Sequence, residues 1–438
     1  MESVVIEIEV QKYEAYKSSE VEWLGEIPGH WLLLPGSRII NERCEKNKGM
    51  VEKTVLSLSY GKVVIKPEEK LVGLVPESFE TYQLVYPGDI IIRPTDLQND
   101  KTSLRVGLAK NKGIITNAYI NLKVNASYLN RYYHYFLYAL DITKIIYSLG
   151  SGLRQNLSYE DFKRLKFLAP PLEEQTAIAN FLDRKTAQID QAIAQKERLI
   201  ELLQERRQIL IQRAVTRGLN PDVPMKDSGV DWIGEVPAHW EVTQIKKVAK
   251  SLSGGTPPSG EREKYYGGLM PWIRTTDLND SELCSVPEAI TQAALRDTAC
   301  KEIQSEFVCV AMYGGAGTIG KHSLVRFASA VNQAVCALIP SPRLLVDYLF
   351  FYVKFCRPYW MIVAKGSRVD PNIGQDDIKN FPIVVPSIDE QEEVVAYLNL
   401  LALKTTQSIS KVNKQIEQLR EYKSTLINAA VTGKIKVC

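Results

Sequence analysis

The sequence predicts a mixed α/β chain of the α+β kind: two globular, mostly β bodies joined by two long antiparallel coiled-coil helices, with a pseudo-twofold internal repeat. Three observations predict it. One ordered set of motifs is written twice. Short β-prone runs, punctuated by Gly, Pro, Asn and Asp, fill the body of each half. Each half then ends in an apolar stripe at three- and four-residue spacing, much longer than an ordinary helix.

The repeat sets the domain plan. Val21-Glu-Trp-Leu-Gly-Glu-Ile-Pro-Gly-His-Trp31 returns 209 residues later as Val230-Asp-Trp-Ile-Gly-Glu-Val-Pro-Ala-His-Trp240. Pro170-Pro-Leu-Glu-Glu-Gln175 returns 216 residues later as Pro386-Ser-Ile-Asp-Glu-Gln391, and the same step relates Ala214-Val-Thr216 to Ala430-Val-Thr432 and Asn156-Leu157 to Asn372-Ile373. A drift of seven residues between the two steps means two halves of nearly one architecture. The chain divides into a body over 1–172, a helix over 173–217, a second body over 218–386 and a second helix over 387–438.

Within each half the elements come in the same order. After the opening motif come strand-like runs such as Val63–Ile65, Asp89–Ile92 and Phe307–Val310. Aromatic-rich helices are expected over Tyr128–Leu140 and Leu344–Phe355, again 216 residues apart. The long helices are expected over Glu173–Val215 and Asp389–Val431. Ile178, Leu182, Ile189, Leu199, Leu203 and Leu210 form the stripe of the first, and Val394, Leu398, Ile409, Ile416, Leu419 and Leu426 that of the second. Between 173 and 217 there are seven acids and eight bases, a solvated surface rather than a charged tail. About 43 residues at 1.5 Å each make a rod of about 64 Å. An apolar stripe of that length needs another helix to cover it, and its repeat partner is the candidate. Two independent core helices are the alternative, disfavoured by their length. An antiparallel second helix would return the chain to body one, giving two bodies on a two-helix spacer about an approximate dyad.

Charge locates the expected binding surface. Lys+Arg 54 against Asp+Glu 51 leaves only +3, so any nucleic-acid surface depends on arrangement, not on net charge. From Lys101 to Tyr159 there are eight bases and one acid, Asp141; from Phe307 to Val369 there are seven bases and one acid, Asp347. Phosphate neutralisation requires such segregation. The candidate DNA-binding residues are Lys101, Arg105, Lys110, Lys112, Arg154, Gln155 and Asn156 in the first half. In the second half they are Lys321, Arg326, Lys365, Arg368 and Asn372. The alternative is that acids from elsewhere in the fold offset these bases. Tyr119, Tyr132, Tyr133, Tyr135, Tyr359 and Trp360 lie among them at spacings that favour packing over stacking on bases.

Enzyme signatures are weak. The seven cysteines form no CxxC pair and the four histidines are scattered, so neither a zinc site nor a Ser/His/Asp triad is expected. Gly315-Ala-Gly-Thr-Ile-Gly320 fits G-x-G-x-x-G, but Ser323–Ser329 after it reads as strand and turn, not as the helix a phosphate needs. It is expected to be a hairpin turn. Asp161-Phe-Lys163 and Asp377-Ile-Lys379 have a nuclease-like D-x-K without the paired acid, and suit repeated helix starts better. The opening residues carry acids where a signal peptide needs bases, and no apolar run reaches the about 20 residues that span a bilayer, so a reduced, cytoplasmic setting is expected.

The duplicated Trp-Leu-Gly-Glu-Ile-Pro-Gly-His-Trp opening, the Pro-Pro-Leu-Glu-Glu-Gln junction and the long helix ending Ala-Val-Thr resemble the specificity subunit of type I restriction–modification enzymes over about residues 18 to 434. The resemblance implies that each body is a target recognition domain for one half of a bipartite, asymmetric double-stranded DNA site. It implies that the helices space the half-sites and dock two methyltransferase (modification) subunits, which restriction (motor–nuclease) subunits join. Chemistry would then reside in those partners, which would bring S-adenosylmethionine, ATP and Mg²⁺, with no cofactor or metal on this chain and no membrane. The halves diverge across 41–115 and 248–318, as unlike reading surfaces should. Two other readings remain open: a fused modification or restriction enzyme, separable by a methyltransferase assay, and a coiled-coil scaffold, which predicts no salt-dependent duplex binding.

Overall fold

The computed structural model describes residues 11–437 apart from 68, 70–77, 101, 151–155, 315–316 and 367–370. The chain forms two compact units, one of residues 1–196 with 413–438 and the other of 197–412.

The helices of the two units include α1 (Asn130–Ile142), α2 (Tyr159–Arg164), α3 (Leu172–Arg217), α4 (Val346–Cys356), α5 (Gln375–Lys379) and α6 (Ile388–Val431). The two long helices run 46 and 44 residues, within three residues of the bounds that the apolar stripes predict. Acids in the first turn, Glu173 and Glu174 of α3 and Asp389 and Glu390 of α6, favour the positive end of each helix dipole. Each helix stops at a left-handed glycine, Gly218 (φ +72°) and Gly433 (φ +72°), where any side chain would be strained. Those glycines lie against Trp240 and Trp31, respectively.

In the first unit a four-stranded antiparallel sheet has the order Ile40–Glu42, Ile120–Val124, Ile90–Ile92, Val106–Leu108. One face packs on α1, whose Tyr132, Tyr133, Phe136 and Leu137 are buried. The hairpin Leu56–Ser59/Lys62–Ile65 lies against the edge of the sheet, where Gly107 leaves room for Leu58 and Val63. The strands Leu32–Pro35 and Lys166–Ala169 pair just before α3 begins.

Ile178, Leu182 and Ile189 of α3 share this unit's core with Leu426, Ile427, Ala430 and Val431 of α6. Lys423 donates to Asp190 at 2.6 Å, and Lys196 to Gln415 at 2.7 Å. As α3 advances from 190 to 196, its partner position falls from 423 to 415, so the pairing is antiparallel, as the stripes require.

The second unit repeats the clasp but not the sheet. Met225–Asp227 pairs with Glu235–Pro237 as Tyr16–Ser18 does with Glu26–Pro28, and Glu241–Gln244 pairs with Pro382–Val385 as Leu32–Pro35 does with Lys166–Ala169. Its main sheet has five strands in the order Ala249–Ser253, Val335–Pro340, Phe307–Ala311, His322–Val325, Glu282–Leu283, the last pair parallel. A second, four-stranded sheet is built on Tyr266–Ile273. The differences lie where the repeat fades in the sequence. Ile211, Ala214 and Val215 of α3 share this unit's core with Val394 and Leu398 of α6.

Candidate nucleic-acid interface

The repeated motifs form a repeated clamp. In the first unit the Trp31 indole N–H donates to Glu174 Oε2 at 2.9 Å, while His30 Nε2 lies 2.6 Å from Oε1. In the second, Trp240 and His239 meet Glu390 Oε1 at 3.0 and 2.8 Å. Burial opposes ionisation of Glu390, but hydrogen bonds from Trp240, His239 and Ser387 outweigh it and hold its carboxyl down at about 2. The junction glutamines serve as second ties. Gln175 accepts from Leu129 N at 2.9 Å and donates to Pro170 O at 2.8 Å; Gln391 accepts from Leu345 N at 2.8 Å and donates to Pro386 O at 3.0 Å. Opening motif, junction and helix start therefore recur as one mechanical unit, which leaves the rest of each body free to differ.

The basic segments distribute unevenly in space. Lys110 and Lys112 are exposed in the turn between Val106–Leu108 and Gly113–Ile115, with no carboxylate at ion-pair distance among the described residues. Asn156 is exposed, its Oδ1 accepting from Asp96 N at 3.1 Å, and Asn372 is exposed in a short strand paired with Lys365. Lys321 is half-buried. Lys101, Arg154, Gln155 and Arg368 lie outside the described residues, as does the side chain of Lys365.

Two candidates are corrected. Arg105 is fully buried: its guanidinium donates to the carbonyls of Arg93 (3.4 Å), Thr95 (2.6 Å), Asp96 (3.1 Å) and Asp100 (2.6 Å), and its Nε to Tyr147 Oη (3.1 Å). It ties a loop together and has no donor to spare for a phosphate. Arg326 is surrounded by Asp347 (2.6 Å), Glu306 (2.7 Å) and Glu282 (3.4 Å), which cancel its charge. Acids distant in sequence also meet Arg131 (Asp183), Arg343 (Glu241) and Arg357 (Asp280). The linear segregation of charge is thus partly undone by the fold.

The aromatics are structural. Tyr132, Tyr133, Tyr135 and Trp360 are buried, and Tyr119 and Tyr359 half-buried. Among the spacer residues, Leu199 is exposed, and Leu203, Leu210, Ile409 and Leu419 are half-buried. Sequence reasoning missed a cation–aromatic stack in the first unit: Arg43 lies 4.5 Å and Lys112 5.8 Å from the Tyr86 ring centre. Arg43 is oriented by Asp89 at 2.9 Å. The Tyr86-Pro-Gly-Asp89 turn was the available signal.

The enzyme-like motifs have structural roles. Gly315 and Ala316 lie outside the described residues; residues 317–320 form a turn followed by strand His322–Val325, not a helix, and a side chain at Gly320 would collide with the Trp360 ring. Asp161 and Asp377 accept from the backbone N–H of Ser158 (2.7 Å) and Gly374 (2.8 Å) at the starts of α2 and α5. Among the described residues no group of three or more His, Cys, Asp or Glu is arranged to hold a metal ion, and no helix is long and apolar enough to cross a membrane.

Comparison with known proteins gives one consistent result. The type I restriction modification DNA specificity domain matches twice, over residues 37–202 and 237–418. The chain is 23% identical to the putative type I restriction enzyme MjaX specificity subunit of Methanocaldococcus jannaschii, with 99% of this chain and 100% of that one covered. Its fold matches, at TM-score 0.69 and 14% identity, a chain from work on complex assembly and conformational transition of the type I R-M system, covering 92% of this chain and 98% of that one. It also matches the HsdS subunit from Thermoanaerobacter tengcongensis at TM-score 0.54 and 15% identity, covering 93% and 98%.

Proposed function

This chain belongs to the type I restriction modification DNA specificity family, and on that premise we propose that it is the non-catalytic, sequence-reading subunit of a type I restriction–modification complex. Each body, 1–172 and 218–386, reads one half of a bipartite, asymmetric double-stranded DNA site. The helical segments 173–217 and 387–438 form the spacer on which two methyltransferase subunits dock and restriction subunits assemble. The observation that carries this reading is the contrast within the repeat. The Trp–His–Glu clamp and the Gln tie recur with the same partners, while the sheets they hold differ in strand number and order. Like parts suit two copies of one partner, and unlike parts suit two unlike half-sites.

S-adenosylmethionine, ATP and Mg²⁺ belong to the partners in this reading, and the chain's own work is to bind and orient DNA. Lys110 and Lys112, exposed and with no carboxylate at ion-pair distance among the described residues, supply phosphate contacts; Asn156 and Asn372 are exposed amides able to meet base edges. The complex works in the cytoplasm, where its DNA is. The test is to assay the purified chain with and without methyltransferase subunits. The chain alone should bind duplex DNA in a salt-dependent way and transfer no methyl group, and the partners should then methylate DNA only in its presence. Robust methyl transfer by the chain alone would refute the reading.

A further inference from the structure

Two cations of the second unit meet Asp280, and a third, Arg207, bears on one of them. Lys354, in the last turn of α4, donates from Nζ to the Asp280 carbonyl at 3.1 Å. Arg357, just beyond, pairs with the Asp280 carboxylate. That carboxylate also accepts from the backbone N–H of buried His322 at 3.2 Å, and Asp280 itself holds a left-handed backbone (φ +59°), a strained conformation for an aspartate. Arg207, from α3, acts on the Lys354 ammonium by its charge. Its Nε is buried without a hydrogen-bond partner, and no carboxylate lies at ion-pair distance from it among the described residues. Burial first, and the Arg207 charge second, push the Lys354 ammonium down to about 8, with Asp280 opposing and Arg357 adding to the shift. Among the described residues the group thus holds more positive charge than Asp280 can offset.

The fold does not demand this cluster. The corresponding positions of the first unit, 216 residues earlier, place Tyr138 for Lys354, Asp141 for Arg357 and Asp190 for Thr406. There Lys423, which corresponds to Arg207, is paired with Asp190 at 2.6 Å. One copy of the repeat is neutralised and the other is left cationic.

We propose that Arg207, Lys354 and Arg357 form a phosphate-binding site that the second unit uses on the DNA backbone. The inference rests on the reading of the chain as a DNA-binding subunit. A phosphodiester offers two non-bridging oxygens, enough to accept from the Arg207 fork and the Lys354 ammonium while Arg357 keeps Asp280 in place. An acidic side chain of a protein partner is the competing occupant. The repeat argues against it, because a partner that docks on both copies would need the site twice and here it occurs once.

The experiment uses the full chain and its Arg207→Gln and Lys354→Gln variants. Thermal unfolding is followed in inorganic phosphate and in chloride at matched ionic strength, and binding to a duplex is titrated over a range of salt. Phosphate should raise the melting temperature of the wild type and not of the variants. The variants should melt in chloride no lower than the wild type, because each removes a mutually repelled cation. Each should weaken duplex binding roughly tenfold and lower the slope of log affinity against log salt by about one unit. An unchanged slope overturns the proposal, whether or not free phosphate protects the protein. Loss of methyltransferase binding with unchanged duplex binding overturns it in favour of the acidic partner. A wild-type chain with no salt-dependent duplex binding instead overturns the reading on which the proposal rests.

Discussion

The Tyr132 hydroxyl donates to the backbone carbonyl of Val431 at 3.0 Å, both groups buried and 299 residues apart in sequence. Its counterpart, Tyr348, donates to the Val215 carbonyl at 3.1 Å. In each unit the aromatic helix of one half thus secures the end of the long helix from the other half, at a carbonyl in the last turn that needs a donor from outside the helix. Replacing Tyr132 by Phe keeps the ring and leaves that buried carbonyl unpaired, at a cost of about 1–3 kcal/mol. Calorimetry should show the first unit melting several degrees lower and the second unchanged. An unaltered first transition would mean that this contact does not hold the helix end.

Glu390→Gln removes the charge that Trp240, His239 and Ser387 stabilise. Because the folded carboxyl titrates near 2, below its ordinary value of 4.5, its contribution is full above about pH 4.5 and is lost as pH falls toward 2. The variant should therefore be less stable than the wild type at neutral pH, by about 1–3 kcal/mol, with the gap closing between pH 4.5 and 2. Denaturant midpoints across that range are the measurement, and a gap independent of pH would assign the role to packing instead.

Arg105 and Lys110/Lys112 should separate cleanly. Arg105→Met removes the donor to four backbone carbonyls and should destabilise the first unit by several kcal/mol. The double change Lys110→Gln with Lys112→Gln should leave the melting temperature within about a degree, since surface substitutions cost little. It should also reduce the salt slope of duplex binding by up to about two units. Equal salt slopes for the double variant and the wild type would remove this turn from the interface.

The architecture was legible because its signals are local and repeated. The stripes marked α3 and α6 to within three residues, and the duplicated motifs fell on the clamp that starts each long helix. Charge was less legible. A run of bases with one acid says nothing about acids arriving from other segments, so Arg326 looked free until Glu282, Glu306 and Asp347 gathered around it. Arg105 looked like surface for the same reason, since no spacing rule shows four backbone carbonyls converging on one guanidinium. The cluster at Arg207, Lys354 and Arg357 was hidden in the opposite way. Arg207 is far in sequence from Lys354 and Arg357, and only the missing acid at Thr406 hints that Arg207 lacks the partner its counterpart has.

The central claim is that the two bodies read separate halves of one DNA site. It is tested most directly by exchanging residues 218–386 for the corresponding segment of a relative, supplying methyltransferase partners, and mapping the methylated sequences across a genome. One half of the methylated motif should change while the other half stays as it was. A change in both halves, or in neither while methylation persists, would contradict the account.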